Sequence, residues 1–299
     1  MISGALRASV EARLGRTLAA SPVGGGCISH AARVETADGP VFLKHNAEAP
    51  PGLFAAEADG LRALRAAAGD ALRVPEVIAV HDSMESGDGD DAPAWIALEW
   101  LEPAPSGRGH SGRLGRGLAH LHRAPVDGRW GWARDNFIGA LPQSNAPSPA
   151  WPAFWRDRRL APQLDLARRA HRLPGTEGEW ERLLDRLPDL LAAGDEDGAS
   201  LLHGDLWSGN VMATAGGPAL IDPAAYRGHR EADLAMAELF GGFDAAFHAA
   251  YREAWPLLPG YAEARRGVYQ LYYLLVHVNL FGGGYVAQTA AALRRVAAG

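Results

Sequence analysis

His203-Gly204-Asp205-Leu206-Trp207-Ser208-Gly209-Asn210, with Asp222 twelve residues after the asparagine in Ala219-Leu220-Ile221-Asp222-Pro223, is the stretch that decides the fold. Asp205 and Asn210 stand five apart in a glycine-containing loop, the spacing H-x-D-x-x-x-x-N of a phosphotransfer loop. The short apolar runs that flank a Thr214 to Pro218 turn read as two strands, which bring Asn210 and Asp222 to one place. An amide oxygen and a carboxylate suit Mg²⁺, which takes a few protein oxygens and fills its shell with phosphate and water. His203 invites a general-base reading, but phosphoryl transfer needs no base titrating near neutrality. It is read instead as structural support. A zinc site built from His203, Asp205, His229 and Asp233 is an alternative use of the same side chains, without a recognised spacing.

Phosphoryl transfer also needs a cation and backbone amides on the nucleotide. Of 29 basic residues only Lys44 is a lysine, in Val41-Phe42-Leu43-Lys44. A compact ammonium kept in a chain that otherwise uses arginine points to a site needing a point charge. Gly24-Gly25-Gly26, one hairpin earlier, lets amides approach phosphates, although it is neither G-x-x-x-x-G-K-[ST] nor G-x-G-x-x-G. From Leu53 to Ala67 the apolar positions Phe54, Ala58, Leu61 and Leu64 recur at a helical period and put Glu57 where it can pair with Lys44.

Around these residues the chain reads as α+β. Leu6, Val10, Leu14 and Leu18 recur every four residues as on a first helix. Cys27 to Thr36, Asp38-Gly39 and Val41 to Lys44 read as strand, turn, strand. Val74 to Val80 and Ala94 to Trp100 add strands across an acidic, glycine-rich loop from His81 to Asp91. Leu101 to Gly107, rich in proline, breaks the pattern and divides a lobe over 1–101 from one over 102–299. Beyond it the sequence is mostly helical: Leu114 to Arg123, Trp151 to Arg172, Glu177 to Ala193, and Glu231 onward. Val268 to Phe281 is a core helix stopped by Gly282-Gly283-Gly284, too short and polar to cross a bilayer.

A net charge of −6 and a pI near 6.0 leave no basic stripe for nucleic acid. Apolar residues at 47% of 299 provide for sizeable cores. One cysteine, Cys27, allows no intrachain disulfide and fits a reducing cytoplasm. No signal peptide is evident, and no membrane partner is expected.

With these residues assembled, the chain resembles the fructosamine kinase (ketosamine 3-kinase) family, a branch of the aminoglycoside-phosphotransferase-like kinases. The resemblance rests on Gly24 to Ile28, Val41 to Lys44, Trp130-Gly-Trp-Ala-Arg-Asp-Asn-Phe-Ile-Gly139 with Pro142-Gln143, His203 to Asn210, Asp222-Pro-Ala224 with Tyr226, Gly228-His-Arg-Glu231, and Asp233-Leu-Ala-Met236. Trp207 discriminates, since aminoglycoside and choline kinases usually carry another residue there. The resemblance implies a two-lobed protein-kinase-like fold, with a small antiparallel sheet lobe and a larger helical lobe. It implies ATP held by the glycines and Lys44 with adenine at Glu99, Trp100 and Leu101, Asp205 as proton acceptor, Asn210 and Asp222 on Mg²⁺, and Asp233 bracing the loop. The acceptor would be a ketosamine, free or on a glycated protein lysine, phosphorylated at its 3-hydroxyl so that the adduct then breaks down. Trp207, Asn136, His229, Arg230, His277 and Asn279 are the candidates to touch it. Cys27 occupies a place linked in the family to redox-sensitive dimers, so a monomer or such a homodimer is expected. A small-molecule hydroxyl kinase of the aminoglycoside or choline type, and a non-catalytic nucleotide-binding protein, are the competing readings.

Two departures separate the chain from protein kinases. His-Gly-Asp replaces His-Arg-Asp and Asp-Pro-Ala replaces Asp-Phe-Gly, and with no Ala-Pro-Glu an activation-loop switch is not expected.

Overall fold

Ser3 opens the first helix, α1 (Gly4–Leu14), by accepting a hydrogen bond from the Leu6 amide on its side chain. In this computed structural model residues 3–24, 29–82 and 92–298 are described. Gly25, Gly26 and Cys27, expected at the phosphate loop and at a redox-sensitive dimer contact, lie outside them. Leu6 and Val10 form the buried face of α1, but the four-residue period does not reach Leu18. Gly15 ends the helix at φ 76°, and Leu18 falls in β1 (Thr17–Val23), where it is 65% exposed. That strand was not expected: its mostly small residues and Pro22 give no period-two signal, and it lies at the sheet edge, where proline is tolerated.

The Asp38-Gly39 turn joins β2 (His30–Thr36) to β3 (Gly39–Asn46), as the sequence predicts. Next come α2 (Leu53–Ala68), β4 (Val77–His81) and β5 (Ala94–Glu99). The five strands form one antiparallel sheet in the order β1-β2-β3-β5-β4. Alternation along β5 explains why both of its faces are buried: Trp95 and Ala97 pack with Leu6 and Val10, while Ile96 and Leu98 pack with Phe54, Leu61 and Leu64 of α2. The sheet therefore carries one helix on each face.

After the proline-rich break come α3 (His110–His122), the short pair β6 (Asn136–Ile138) and β7 (Leu141–Gln143), and α4 (Trp151–Phe154). A π turn over Trp155–Leu160 continues α4 into α5 (Ala161–Arg169). Pro162, which has no N–H to donate, sits where that wider turn ends. Thr176 and Glu179 make a reciprocal capping box on α6 (Glu177–Leu190), which leads to α7 (Ala192–Asp197). Short strands β8 (Ser200–Leu202), β9 (Val211–Thr214), β10 (Gly217–Leu220) and β11 (Tyr226–Gly228) pair as β8 with β11 and β9 with β10. Helices α8 (Glu231–Leu239), α9 (Ala245–Ala254), α10 (Arg266–Phe281) and α11 (Gly284–Ala298) complete the chain. The buried helix expected over Val268 to Phe281 is α10, ended by Gly282 at φ 63°.

The fold is thus a two-lobed α+β arrangement. Backbone bonds from Arg73 N–H to Pro218 O and from Leu220 N–H to Arg73 O, both 2.9 Å, tie the sheet lobe to the β9–β10 hairpin. Leu61 and Leu64 share a core with Leu206 and Leu220. Among the described residues no helix is long and apolar enough to cross a membrane.

Candidate active site

Pairing of β8 with β11 lays the residues after Leu202 beside those before Tyr226, and this juxtaposition shapes the loop. The Ala224 N–H donates to His203 O at 2.9 Å. Gly204 follows at φ 82°, and a Cβ there would fall on the Ala224 carbonyl oxygen. Only glycine accommodates both the left-handed backbone and the close approach, which gives a physical reason for His-Gly-Asp in place of His-Arg-Asp. Gly204→Ala is expected to lose roughly 2–4 kcal/mol, the left-handed penalty plus the clash, measured by denaturant unfolding.

His203 is fully buried. Its Nδ1 accepts from the Asp205 N–H at 3.3 Å, so Nε2 carries the proton and donates to Ile221 O at 2.9 Å. Burial pushes its pKa down, which keeps the ring neutral. Asp233, also fully buried, accepts the N–H groups of His203 at 2.7 Å and Gly204 at 2.9 Å. His122 Nε2 donates to the same carboxylate at 3.1 Å and accepts at Nδ1 from the Tyr251 hydroxyl at 2.8 Å. Nothing in the sequence pattern marks His122, which sits among the apolar residues of α3.

Lys44 reaches across the cleft side of the sheet and brings three expected residues together. Its Nζ lies 3.0 Å from Glu57 Oε2 and 3.1 Å from Asp222 Oδ1. Burial disfavours the ammonium, but the Glu57 and Asp222 carboxylates outweigh it and raise the lysine pKa, so the charge stays on. Asp222 adopts φ 52°, the left-handed region that asparagine and aspartate enter more readily than other non-glycine residues. Asn210 Nδ2 donates to Asp205 O at 2.9 Å and Asp205 Oδ2 at 3.1 Å, with a longer contact to Asp222 O at 3.4 Å. This commits the amide nitrogen inward and leaves Asn210 Oδ1 without a protein donor among the described residues.

Asp205 is half-buried, and its pKa is pushed up to about 7, first by burial and then by the Asp222 and Asp233 charges, against the Asn210 hydrogen bond and Lys44. A carboxyl whose pKa is raised on folding contributes stability that is present below its unfolded value, near 4, and is lost as pH rises through 7. Without nucleotide or metal, Asp205→Asn is therefore expected to gain Tm relative to the parent between pH 5 and pH 8, read by calorimetry. A pH-independent difference would count against the assignment of the buried charge.

The remaining expectations are placed differently. The Glu99 side chain, expected beside adenine, is held by Arg65 at 3.0 Å and Arg73 at 2.5 Å, and its N–H donates to Glu76 O at 2.8 Å. Trp100 Nε1 donates to Glu102 at 2.9 Å while the Arg33 guanidinium lies over its ring, and Leu101 is buried. His229 and Arg230 do not face an acceptor. His229 is fully buried between the Tyr269 hydroxyl at 2.7 Å and Asp197 at 3.1 Å; Arg230 is bidentate on Asp197 and stacked on Trp255. Buried charge pairing, not substrate contact, explains both, and it leaves the zinc grouping unassembled: among the described residues no cluster of three or more His, Cys, Asp or Glu side chains could hold a metal.

Asn136 is buried, its Nδ2 donating to the Ala225 carbonyl and its Oδ1 accepting from Gln143 and Asn145, and Asn279 is bonded to Gln163. His277, half-buried, receives Phe240, Phe281 and Tyr285 around its ring, and its Nδ1 bonds Tyr273 O. Trp207 stands in the catalytic loop 39% exposed, its indole lying over Gly209. Arg159 is fully buried over Tyr226 and bonded to Asn145; the sequence does not mark it, because a charge in an Arg-rich stretch looks like surface.

The similarity to known proteins runs along the whole chain. Residues 5–298 match the fructosamine kinase family. A probable ketoamine kinase of Synechocystis sp. is 41% identical over 278 residues, 91% of this chain and 88% of that one. The chloroplastic protein-ribulosamine 3-kinase of Oryza sativa subsp. indica is 37% identical over 92% of this chain and 78% of its own. A crystal structure from Thermobifida fusca assigned as a fructosamine-3-kinase superposes with a TM-score of 0.84 at 38% identity, covering 98% of this chain and 99% of that one. An aminoglycoside phosphotransferase solved with ADP and hygromycin B shares the fold, with a TM-score of 0.63 at 16% identity and 99% of each chain covered. A kinase-like fold, a lysine–glutamate–aspartate triad opposite a His-Gly-Asp loop, and a family match from end to end converge: the chain belongs to the fructosamine kinase family.

Proposed function

We propose that the protein is an ATP-dependent kinase that phosphorylates the 3-hydroxyl of ketosamines, on free amines or on glycated protein lysines. The observation that carries the reading is Lys44, joined to both Glu57 and Asp222 and facing the loop that holds Asp205 against Asn210. In a chain related to ketoamine and ribulosamine kinases, that is the machinery of phosphoryl transfer to an alcohol.

Lys44 would set its charge on the nucleotide phosphates, with the 1–101 lobe holding the base and the 102–299 lobe the acceptor. Asp205 Oδ would receive the proton of the acceptor hydroxyl as that oxygen attacks the γ-phosphorus and ADP leaves. The unengaged Asn210 Oδ1 and the Asp222 carboxylate form a hard-oxygen pair that fits Mg²⁺, whose charge would neutralise the phosphate oxygens. Trp207, exposed beside Asp205, offers a flat apolar face to the ketose or its amine substituent. A ketosamine 3-phosphate can lose its C1 proton to give an enaminol, from which phosphate leaves C3. Hydrolysis of the resulting imine then frees the amine, which makes the outcome deglycation. The single cysteine fits a reducing, cytoplasmic site of action.

A substrate panel tests this. With ATP and Mg²⁺, ribulosamines and fructosamines should consume ATP and then liberate amine; turnover of amino alcohols or aminoglycosides with every ketosamine inert would move the protein to the wider small-molecule kinases. Trp207→Ala should raise KM for the ketosamine about tenfold with KM for ATP little changed, in steady-state assays.

A further inference from the structure

Asp222 holds a left-handed backbone that a non-glycine residue keeps only when its surroundings enforce it. The strap that enforces it, Asp222 to Tyr226, is gripped from three sides. On the catalytic-loop side the Ala224 N–H donates to His203 O, and Gly204 packs against the Ala224 carbonyl. On the α2 side Gly60 lies so close that an added Cβ would stand 3.1 Å from Ala225 Cβ and 3.4 Å from Pro223 Cγ. Gly60 is one turn beyond Glu57, so the same strap sets the height of the glutamate that pairs with Lys44.

The third side is a pair of carboxamides from the β6–β7 hairpin. Asn136 Nδ2 donates to Ala225 O at 2.8 Å, and Gln143 Nε2 donates to Ala224 O at 3.2 Å and to Asn136 Oδ1 at 2.8 Å. Gln143 Oε1 accepts from the Tyr272 hydroxyl of α10 at 2.6 Å. That bond leaves Gln143 one usable orientation, with its NH₂ toward the strap. Both carboxamides and Tyr272 are buried, so no water competes for these atoms. Two consecutive carbonyls just beyond Asp222 are thus fixed by side chains more than 80 residues away in sequence.

We infer that Asn136 and Gln143, locked by Tyr272, are positioning residues for Asp222, aiming its carboxylate at the metal of the bound nucleotide. The inference rests on the reading of Asp222 as a metal ligand. Partners one step behind a ligand typically change metal affinity about 10- to 100-fold when removed.

The test is calorimetric titration of the full-length chain with AMP-PNP, with and without Mg²⁺. The ratio of the two Kd values isolates the metal-dependent part of binding. Gln143→Leu is expected to cut that ratio at least about tenfold, with metal-free Kd within about twofold of the parent and the activity loss confined to kcat. Tyr272→Phe, which removes one oxygen from an intact core, should cut it about threefold and decides the matter should Gln143→Leu not fold. A parental ratio in folded Tyr272→Phe or Gln143→Leu protein overturns the inference. A parent chain whose AMP-PNP affinity ignores Mg²⁺ contradicts instead the metal reading of Asp222.

Discussion

Asp205→Ala is expected to lower kcat by about 100- to 10,000-fold, the range for removal of a positioned proton acceptor, while the Kd for ATP stays within a few-fold of the parent. The reasoning is geometric. Asp205 lies outside the Lys44 group that would meet the nucleotide; its loop is held by Asp233 through the amides of His203 and Gly204 and by Asn210 Nδ2 on the Asp205 carbonyl, so only the 3.1 Å bond from Asn210 to the carboxylate goes with the side chain. Truncation therefore removes the carboxylate and leaves the backbone in place. Steady-state rates together with equilibrium nucleotide binding check both halves, and full activity would show that the loop has been misassigned.

Lys44→Ala should have the second largest effect, a loss of about 100- to 1,000-fold in kcat/KM for ATP with the acceptor KM little changed. The alanine removes the one cation that, among the described residues, pairs with both Glu57 and Asp222 and leaves two carboxylates facing each other. Their repulsion adds to the missing phosphate contact. Arginine should restore little, because its planar fork does not reproduce a compact ammonium between two acids. ATP titrations of the alanine and arginine variants at saturating acceptor measure this.

The residues that could be read from the sequence are those whose roles depend on short spacing. The five-residue interval from Asp205 to Asn210, the hairpin before Asp222 and the helical register of Glu57 are all local, and the structure places Lys44, Glu57 and Asp222 in one contact group. The residues that escaped detection depend on long-range partners. In Gly228-His229-Arg230-Glu231 the sequence offers His229 and Arg230 as candidates to touch the acceptor, yet Arg230 finds Asp197 and Glu231 finds Arg265, 33 and 34 residues away, inside the helical lobe. Composition reports charge but not its neutraliser, so burial of these four groups could not be foreseen. β1 escaped for a different reason: an edge strand of small residues buries too little on one face to produce alternation. The Trp130 to Gln143 block is visible in the sequence as a family signature, but the contacts of its Asn136 and Gln143 carboxamides with the Ala225 and Ala224 carbonyls arise from tertiary packing that no local pattern carries.

The central claim concerns which bond forms. The most direct measurement is phosphorus–proton correlation NMR of the product made from a ribulosamine or fructosamine, ATP and Mg²⁺, captured before the adduct decays. The arrangement of Lys44, Asp205 and Asp222 in a fructosamine kinase chain predicts phosphorus coupled to the proton on C3, absent when Asp205→Ala replaces the parent. Phosphate found on another hydroxyl, or no phosphorylated ketosamine while another alcohol is phosphorylated, would contradict it.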